Sequence, residues 1–167
     1  VGPLGLGCWP LAGMTRTGIS RAAAEAAVRA AVDAGITFID TAYCYGERGE
    51  SDRAIGAALG GTAGPAALPR DAVVIAGKCG IHWEPDTAID PHFDLLYLHC
   101  PDPAVPIEES AGELRRLLEA GKTRAVGLSN AGVDLLARFA AACPLVACQM
   151  HFNMLQREIE EAVLPWC

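Results

Sequence analysis

SRAAAEAAVRAAVDAGITFID (20–40) sets a helix and a strand back to back. Ala, the strongest helix former, dominates 20–34. Ser20 is placed to cap the first turn, and Gly35 sits just past the last. ITFID (36–40) then switches to a short β-branched and aromatic run, which predicts a buried strand. The same alternation continues outward. PLGLGCW (3–9) reads as an earlier strand and ESDRAIGAAL (50–59) as the next helix, followed by a Gly/Pro/Ala loop at 60–69. AVVIAGK (72–78) and FDLLYLH (93–99) are further apolar strands. Pro106 opens a helix to about Ala120, with Gly121 after it. RAVGLSN (124–130) predicts a strand, VDLLARFAAA (133–142) a helix, LVACQMHFN (145–153) a strand, and REIEEAVL (157–164) the start of another helix.

The strands are apolar on both faces, and most are separated by helices. That pattern specifies a parallel sheet covered by helices. Two architectures compete, an open doubly wound sheet and a (β/α)8 barrel. The open fold calls for GxGxxG in its first turn, but Gly5-Leu-Gly7-Cys-Trp-Pro10 lacks the third Gly and leads into no helix. Gly121-Lys122-Thr123 ends like a P-loop, yet Arg116 replaces the first Gly, and the string follows a helix instead of a strand.

Composition narrows the function. The 167 residues are 51% hydrophobic and 20% charged, with a net charge of −7, so the chain is globular and poorly suited to binding phosphates of nucleic acid. No apolar run has the length of a membrane span, and VGPLGLGCWP lacks the charged flank and small-residue cleavage site expected of a signal peptide. Seven Cys, an odd number with no CxxC, read as free thiols in a reducing cytoplasm. Ligand spacing for zinc is missing, so no metal site is expected. Eleven Arg accompany only two Lys, 78 and 122.

In barrel enzymes the chemistry sits at the C-terminal strand ends. Here five successive strands end in polar or ionisable residues: Asp40, with Tyr43 and Tyr45 just after it, then Lys78, His99, Ser129-Asn130, and the strand carrying Gln149 and Asn153. A Lys at the end of a buried strand needs a carboxylate partner, and Asp40 supplies one. A Tyr beside that pair is expected to feel the ammonium, which would lower its phenol toward working pH. A neutral His99 could hydrogen-bond the reacting oxygen. This set suits protonation of a carbonyl oxygen while something else attacks the carbon.

These residues resemble the aldo-keto reductase family. Phe38-Ile-Asp40-Thr-Ala-Tyr-Cys-Tyr45-Gly46, followed by Glu50 and a helix, is similar to its DTAxxYG signature. Val74-Ile-Ala-Gly-Lys78 is similar to its lysine strand, and Leu95-Leu-Tyr-Leu-His99-Cys-Pro101-Asp102 to its LHxPD strand end. Gly121 through Asn130 is similar to its GKxRxxGxSN segment, and Gln149 with Asn153 to the strand that follows. The resemblance implies a TIM barrel and an NADPH-dependent reductase of aldehydes or ketones, with NADH not excluded. It makes Tyr45 the general acid, tuned by Lys78 and Asp40, and gives His99 the orientation of the carbonyl. Ser129, Asn130 and Gln149 would hold the nicotinamide carboxamide. The partner is a small-molecule carbonyl substrate. A non-catalytic nucleotide-sensing subunit and an inactive truncated barrel are the alternatives.

The resemblance has two gaps. Only CGIHWEPDTAIDPHFDLLYL separates Lys78 from His99, and Pro85, Asp86 and Pro91 disfavour the helix the family places there. The chain holds about six barrel strands in one domain, 1–167, so two further strands and their helices are lacking. Cys44, Cys79 and Cys100 neighbour proposed catalytic residues and read as packing. Trp9 and Trp83 could line a substrate pocket. His82 and His92 read as loop surface, and His151 is given no role. Glu108, Glu109, Glu113, Arg115 and Arg116 form a solvated helix face.

Overall fold

The computed structural model describes residues 1–15, 17–60, 68–81 and 93–167. The expectations for most of the loop at 60–69, for His82, Trp83 and His92, and for Pro85, Asp86 and Pro91 lie outside the described residues. The chain forms two compact units, Val1–Asp94 and Leu95–Cys167.

The first unit contains β1 (Gly5–Gly7), α1 (Arg21–Asp33), β2 (Phe38–Asp40), α2 (Glu50–Gly60) and β3 (Val74–Cys79). Ser20 caps α1 as its sequence predicts, its Oγ accepting from Ala23 N at 3.2 Å. Gly35 ends that helix at φ +89°, a conformation open to glycine at little cost. The strands pair parallel, with Gly7 opposite Asp40 and Asp40 opposite Ala76. Residues in register share a face, and that face repeats every second residue. Lys78 therefore rises from the same face as Asp40, one step further along β3. Beneath the strands, Val28, Ile39, Ile55 and Ile75 build one apolar cluster, and α1 packs on α2. Each such burial stabilises by about 1.5–3 kcal/mol.

The second unit receives β4 (Phe93–Leu98), which starts two residues before the boundary, then α3 (Ile107–Glu119), β5 (Thr123–Ser129), α4 (Val133–Ala142), β6 (Ala147–Gln149) and α5 (Val163–Trp166). In β5 and β6, parallel pairing sets Ser129 opposite Gln149 and Leu128 opposite Cys148. Leu128, Leu136 and Phe139 are fully buried, and α3 packs on α4. The charged face of α3 is exposed as expected. It is laced by Arg115–Glu119 at 2.8 Å and an Arg116–Glu113 pair, with Glu108 reaching Arg138 of α4 at 2.8 Å.

Two elements differ from the sequence pattern. The strand expected over 145–153 stops at Gln149, because Asn153 folds the chain into a turn. Its Oδ1 accepts from Leu155 N and Gln156 N at 2.9 and 3.1 Å, the local bonding that makes Asn a turn residue. The helix expected over 157–164 is a 3-10 turn at Glu158–Glu160 and then the short α5. Arg157 pairs with Glu160 at 2.7 Å across the turn, and only Val163 of this segment is buried, too little packing to hold a longer helix. His151 is exposed.

Candidate active site

The first unit gathers Asp40, Tyr45 and Lys78 into one buried polar cluster. Lys78 Nζ donates to Asp40 Oδ1 and Oδ2 at 2.6 and 2.7 Å, to Tyr45 Oη at 2.8 Å, and to the Thr41 carbonyl at 3.3 Å. The Lys78 side chain is 2% exposed and that of Asp40 16%. At this depth a carboxylate and two further acceptors take the place of water around Nζ. Tyr45 arrives on the turn after β2, where its N–H donates to the Ala42 carbonyl at 2.9 Å. Gly46 then turns the chain at φ +87°. That positive φ strains any residue with a Cβ, which favours glycine directly after Tyr45.

Trp9 meets Tyr45 edge to face, with ring centroids 5.1 Å apart, and is 38% exposed. Lys78 Nζ also lies 4.9 Å from the Tyr45 ring centroid. Cys44 is buried, Cys79 half-buried and Cys100 exposed. Burial pushes the Cys79 thiol up to about 11 and raises that of Cys44, so both rest as protonated packing groups.

The phenol corrects one expectation. Tyr45 is raised above its ordinary value of 10, not lowered. Burial is the main cause, and the Asp40 carboxylate adds to it. Lys78 does not reverse the shift because Asp40 sits against the same ammonium and offsets its field. Tyr45 consequently keeps its proton throughout the neutral range.

Thr41 is a support that sequence reasoning missed. Its hydroxyl donates to Asp52 Oδ1 at 2.6 Å and so accepts from Ser51 Oγ at 2.8 Å. One residue thus ties the backbone acceptor under Lys78 to the first turn of α2. Burial raises the Asp52 carboxyl, while the Thr41 bond and the Lys78 charge oppose that rise. The only sequence signal is the adjacency of Thr41 to Asp40 and of Ser51-Asp52 to Glu50. An apolar cavity of about 350 Å³ is lined by Thr41, Asp52, Ile55, Leu59, Ile75 and Phe93, with Asp40, Tyr45 and Lys78 outside its lining.

The second unit brings together His99, Ser129, Asn130 and Gln149. Ser129 is buried, and its Oγ donates to the Gln149 carbonyl at 2.9 Å. Asn130 N–H donates to the same carbonyl at 3.1 Å. Asn130 Nδ2 donates to the His99 carbonyl at 2.9 Å and to Ser129 Oγ at 3.2 Å. Asn130 is the one described non-glycine residue with positive φ, at +55°, a strained conformation held by those bonds. Asn153 does not join this group; its side chain closes the turn to Gln156. Among the described residues no group of three or more His, Cys, Asp or Glu is arranged to hold a metal ion. No helix among them is long and apolar enough to cross a membrane.

The chain is similar to known proteins over nearly its whole length. Aldo-keto reductase YhdN of Bacillus subtilis (strain 168) is 34% identical over 98% of this chain and 54% of its own length. Probable aldo-keto reductase 1 of Glycine max is 34% identical over 100% of this chain and 52% of its own. The chain therefore spans about half the length of these curated relatives. The YhdN match runs over 183 residues against the 167 of this chain, so the relative carries extra residues inside the matched span. The structure of an aldo-keto reductase from Klebsiella pneumoniae in complex with NADPH superposes with a TM-score of 0.79 at 27% identity, covering 100% of this chain and 60% of that one. Fold and likeness agree on the (β/α)8 barrel class, represented by six strands among the described residues. The aldo/keto reductase family model matches residues 3–92 and 89–167, and with the Asp-Tyr-Lys cluster falling inside that match, the chain belongs to the aldo/keto reductase family.

Proposed function

We propose that residues 1–167 form an aldo-keto reductase-type barrel domain that reduces an aldehyde or ketone to the alcohol, with NADPH as the reductant and Tyr45 as the general acid. The observation that carries this reading is Lys78 Nζ bridging both Asp40 oxygens and Tyr45 Oη inside a buried cluster. Family membership and a neighbour solved with NADPH support the cofactor. Seven free thiols suit a cytoplasmic setting.

The second unit fits a nicotinamide carboxamide by its chemistry. A carboxamide offers two N–H donors and one carbonyl acceptor. The Ser129 hydroxyl and the Asn130 amide donate within the cluster, so a carboxamide would exchange with those bonds, and Ser129, Asn130 and Gln149 are the groups proposed to hold it. When bound, NADPH supplies the hydride. The protein positions the partners and moves the proton.

Tyr45 Oη accepts from Lys78, so in that contact the phenol is an acceptor and keeps its own proton. That proton is the one delivered to the carbonyl oxygen. As it leaves, negative charge grows on Oη and the hydrogen bond that Lys78 Nζ donates to it strengthens, stabilising the transition state more than the ground state. Asp40 holds Lys78 in place beside Tyr45 Oη. His99 is assigned the orientation of the carbonyl by its place in the LHxPD-like strand end.

The test is NADPH oxidation with a panel of aldehydes, comparing the wild type with Tyr45→Phe. Aldehyde-dependent oxidation that falls by two or more orders of magnitude in the variant, on the scale of a lost general acid, with NADPH binding retained, is the expected result. Binding without turnover in both proteins would indicate a nucleotide-sensing subunit instead.

A further inference from the structure

We propose that Cys148 and Cys167 are a reversible dithiol–disulfide site that reacts with low-molecular-weight disulfides. Their Sγ atoms stand 3.3 Å apart, although the residues are 19 positions apart in the chain. Bonded sulfurs lie at about 2.05 Å, so a small side-chain adjustment brings them to bonding distance. Three other cysteine sulfurs meet a different partner. Sγ of Cys8, Cys100 and Cys143 meets a backbone carbonyl in each case, at 3.9, 3.7 and 3.8 Å.

The two positions differ in a way that orders the chemistry. Cys148 is half-buried in β6, its backbone opposite Leu128 of β5. Cys167 is exposed at the end of α5, where its N–H donates to the Val163 carbonyl at 3.0 Å. An incoming disulfide therefore meets Cys167 first. The Cys167 thiolate attacks one sulfur of the reagent, forming a mixed disulfide and displacing one thiolate. Cys148 then gives up its proton and attacks Cys167 Sγ, displacing the second thiolate. Two protein thiols are oxidised to one disulfide, the reagent is reduced to two thiols, and both protein protons end on them. Burial, with the Cys167 contact, pushes the Cys148 thiol up to about 11. Cys148 thus rests as a thiol while Cys167 reacts, which suits a resolving rather than an attacking role. An odd cysteine count without CxxC conceals this pair, because only the turn at Asn153 returns the chain to β6.

The test is incubation of the reduced protein with oxidised glutathione at neutral pH, alkylation of the remaining thiols, and peptide mapping by mass spectrometry. Joint loss of the Cys148 and Cys167 thiols in one internal disulfide, reversed by dithiothreitol, is expected. Cys148→Ser should accumulate a glutathione adduct on Cys167. Cys167→Ser, an exposed change that leaves β6 intact, should leave Cys148 open to alkylation. The proposal is overturned if both thiols stay alkylatable in the wild type. Bridges to other cysteines in equal yield overturn it as well, as does Cys148 reacting equally fast in Cys167→Ser.

Discussion

Lys78→Met removes the ammonium at the centre of the buried cluster while keeping the four-atom stem that carries it. It strips two charge-assisted hydrogen bonds, 2.6 and 2.7 Å, from an Asp40 carboxylate that is only 16% exposed. Breaking a buried pair from one side costs about 3–5 kcal/mol, because the surviving charge stays desolvated. That is a large part of the 5–15 kcal/mol that holds a typical domain. Asp40→Asn should cost a similar amount, since it strands an ammonium that is 2% exposed. The double variant leaves no stranded charge, so its cost should fall to about 1–2 kcal/mol, the scale of ordinary hydrogen bonds lost. Urea unfolding followed by circular dichroism at pH 7 reads all four proteins. Two results would refute the reasoning: single variants that each cost under about 1 kcal/mol, or a double variant that costs the sum of the two.

Three more outcomes follow from the same geometry. Cys8 is fully buried and its thiol is pushed from 9.0 up to about 12, so the folded state holds a proton that the unfolded state releases. Stability should drop as pH rises from 9 to 12, by about 4 kcal/mol from this group, and Cys8→Ala should flatten that limb of a pH series of urea melts. Thr41→Val keeps shape but removes the donor to Asp52, which should cost about 1–3 kcal/mol in thermal or urea unfolding and lower kcat more than it raises KM. Because Tyr45 is raised above 10, aldehyde reduction should not lose its acid as pH rises to 10, and a pH–rate profile with a tyrosine-like fall well below that value would contradict the assignment.

Much of this protein is legible in the sequence because strong local signals agree with the packing. The Ala-rich run with Ser20 before it and Gly35 after it gives α1 to within a residue, and the apolar runs give the strand order. The Lys78–Asp40 pair is legible by necessity, since a buried ammonium requires a carboxylate. What is not legible depends on three-dimensional competition. The shift of Tyr45 turns on whether burial outweighs a cation already neutralised by Asp40, and only the geometry decides that. Asn153 stops β6 early by bonding its own backbone, a local alternative that the apolar pattern hides. Thr41 with Asp52, and Cys148 with Cys167, meet only after the chain has turned back on itself.

The most direct measurement is the fate of the transferred hydrogen. The protein would be supplied with NADPH carrying deuterium at the transferable C4 position, together with an aldehyde that the wild type turns over, and the alcohol analysed by NMR. One deuterium on the carbinol carbon is expected with the wild type, at a rate reduced by two or more orders of magnitude in Tyr45→Phe. Unlabelled alcohol, or labelled alcohol formed as fast without the Tyr45 hydroxyl, would contradict the assignment of Tyr45 as the acid of an NADPH-dependent carbonyl reduction.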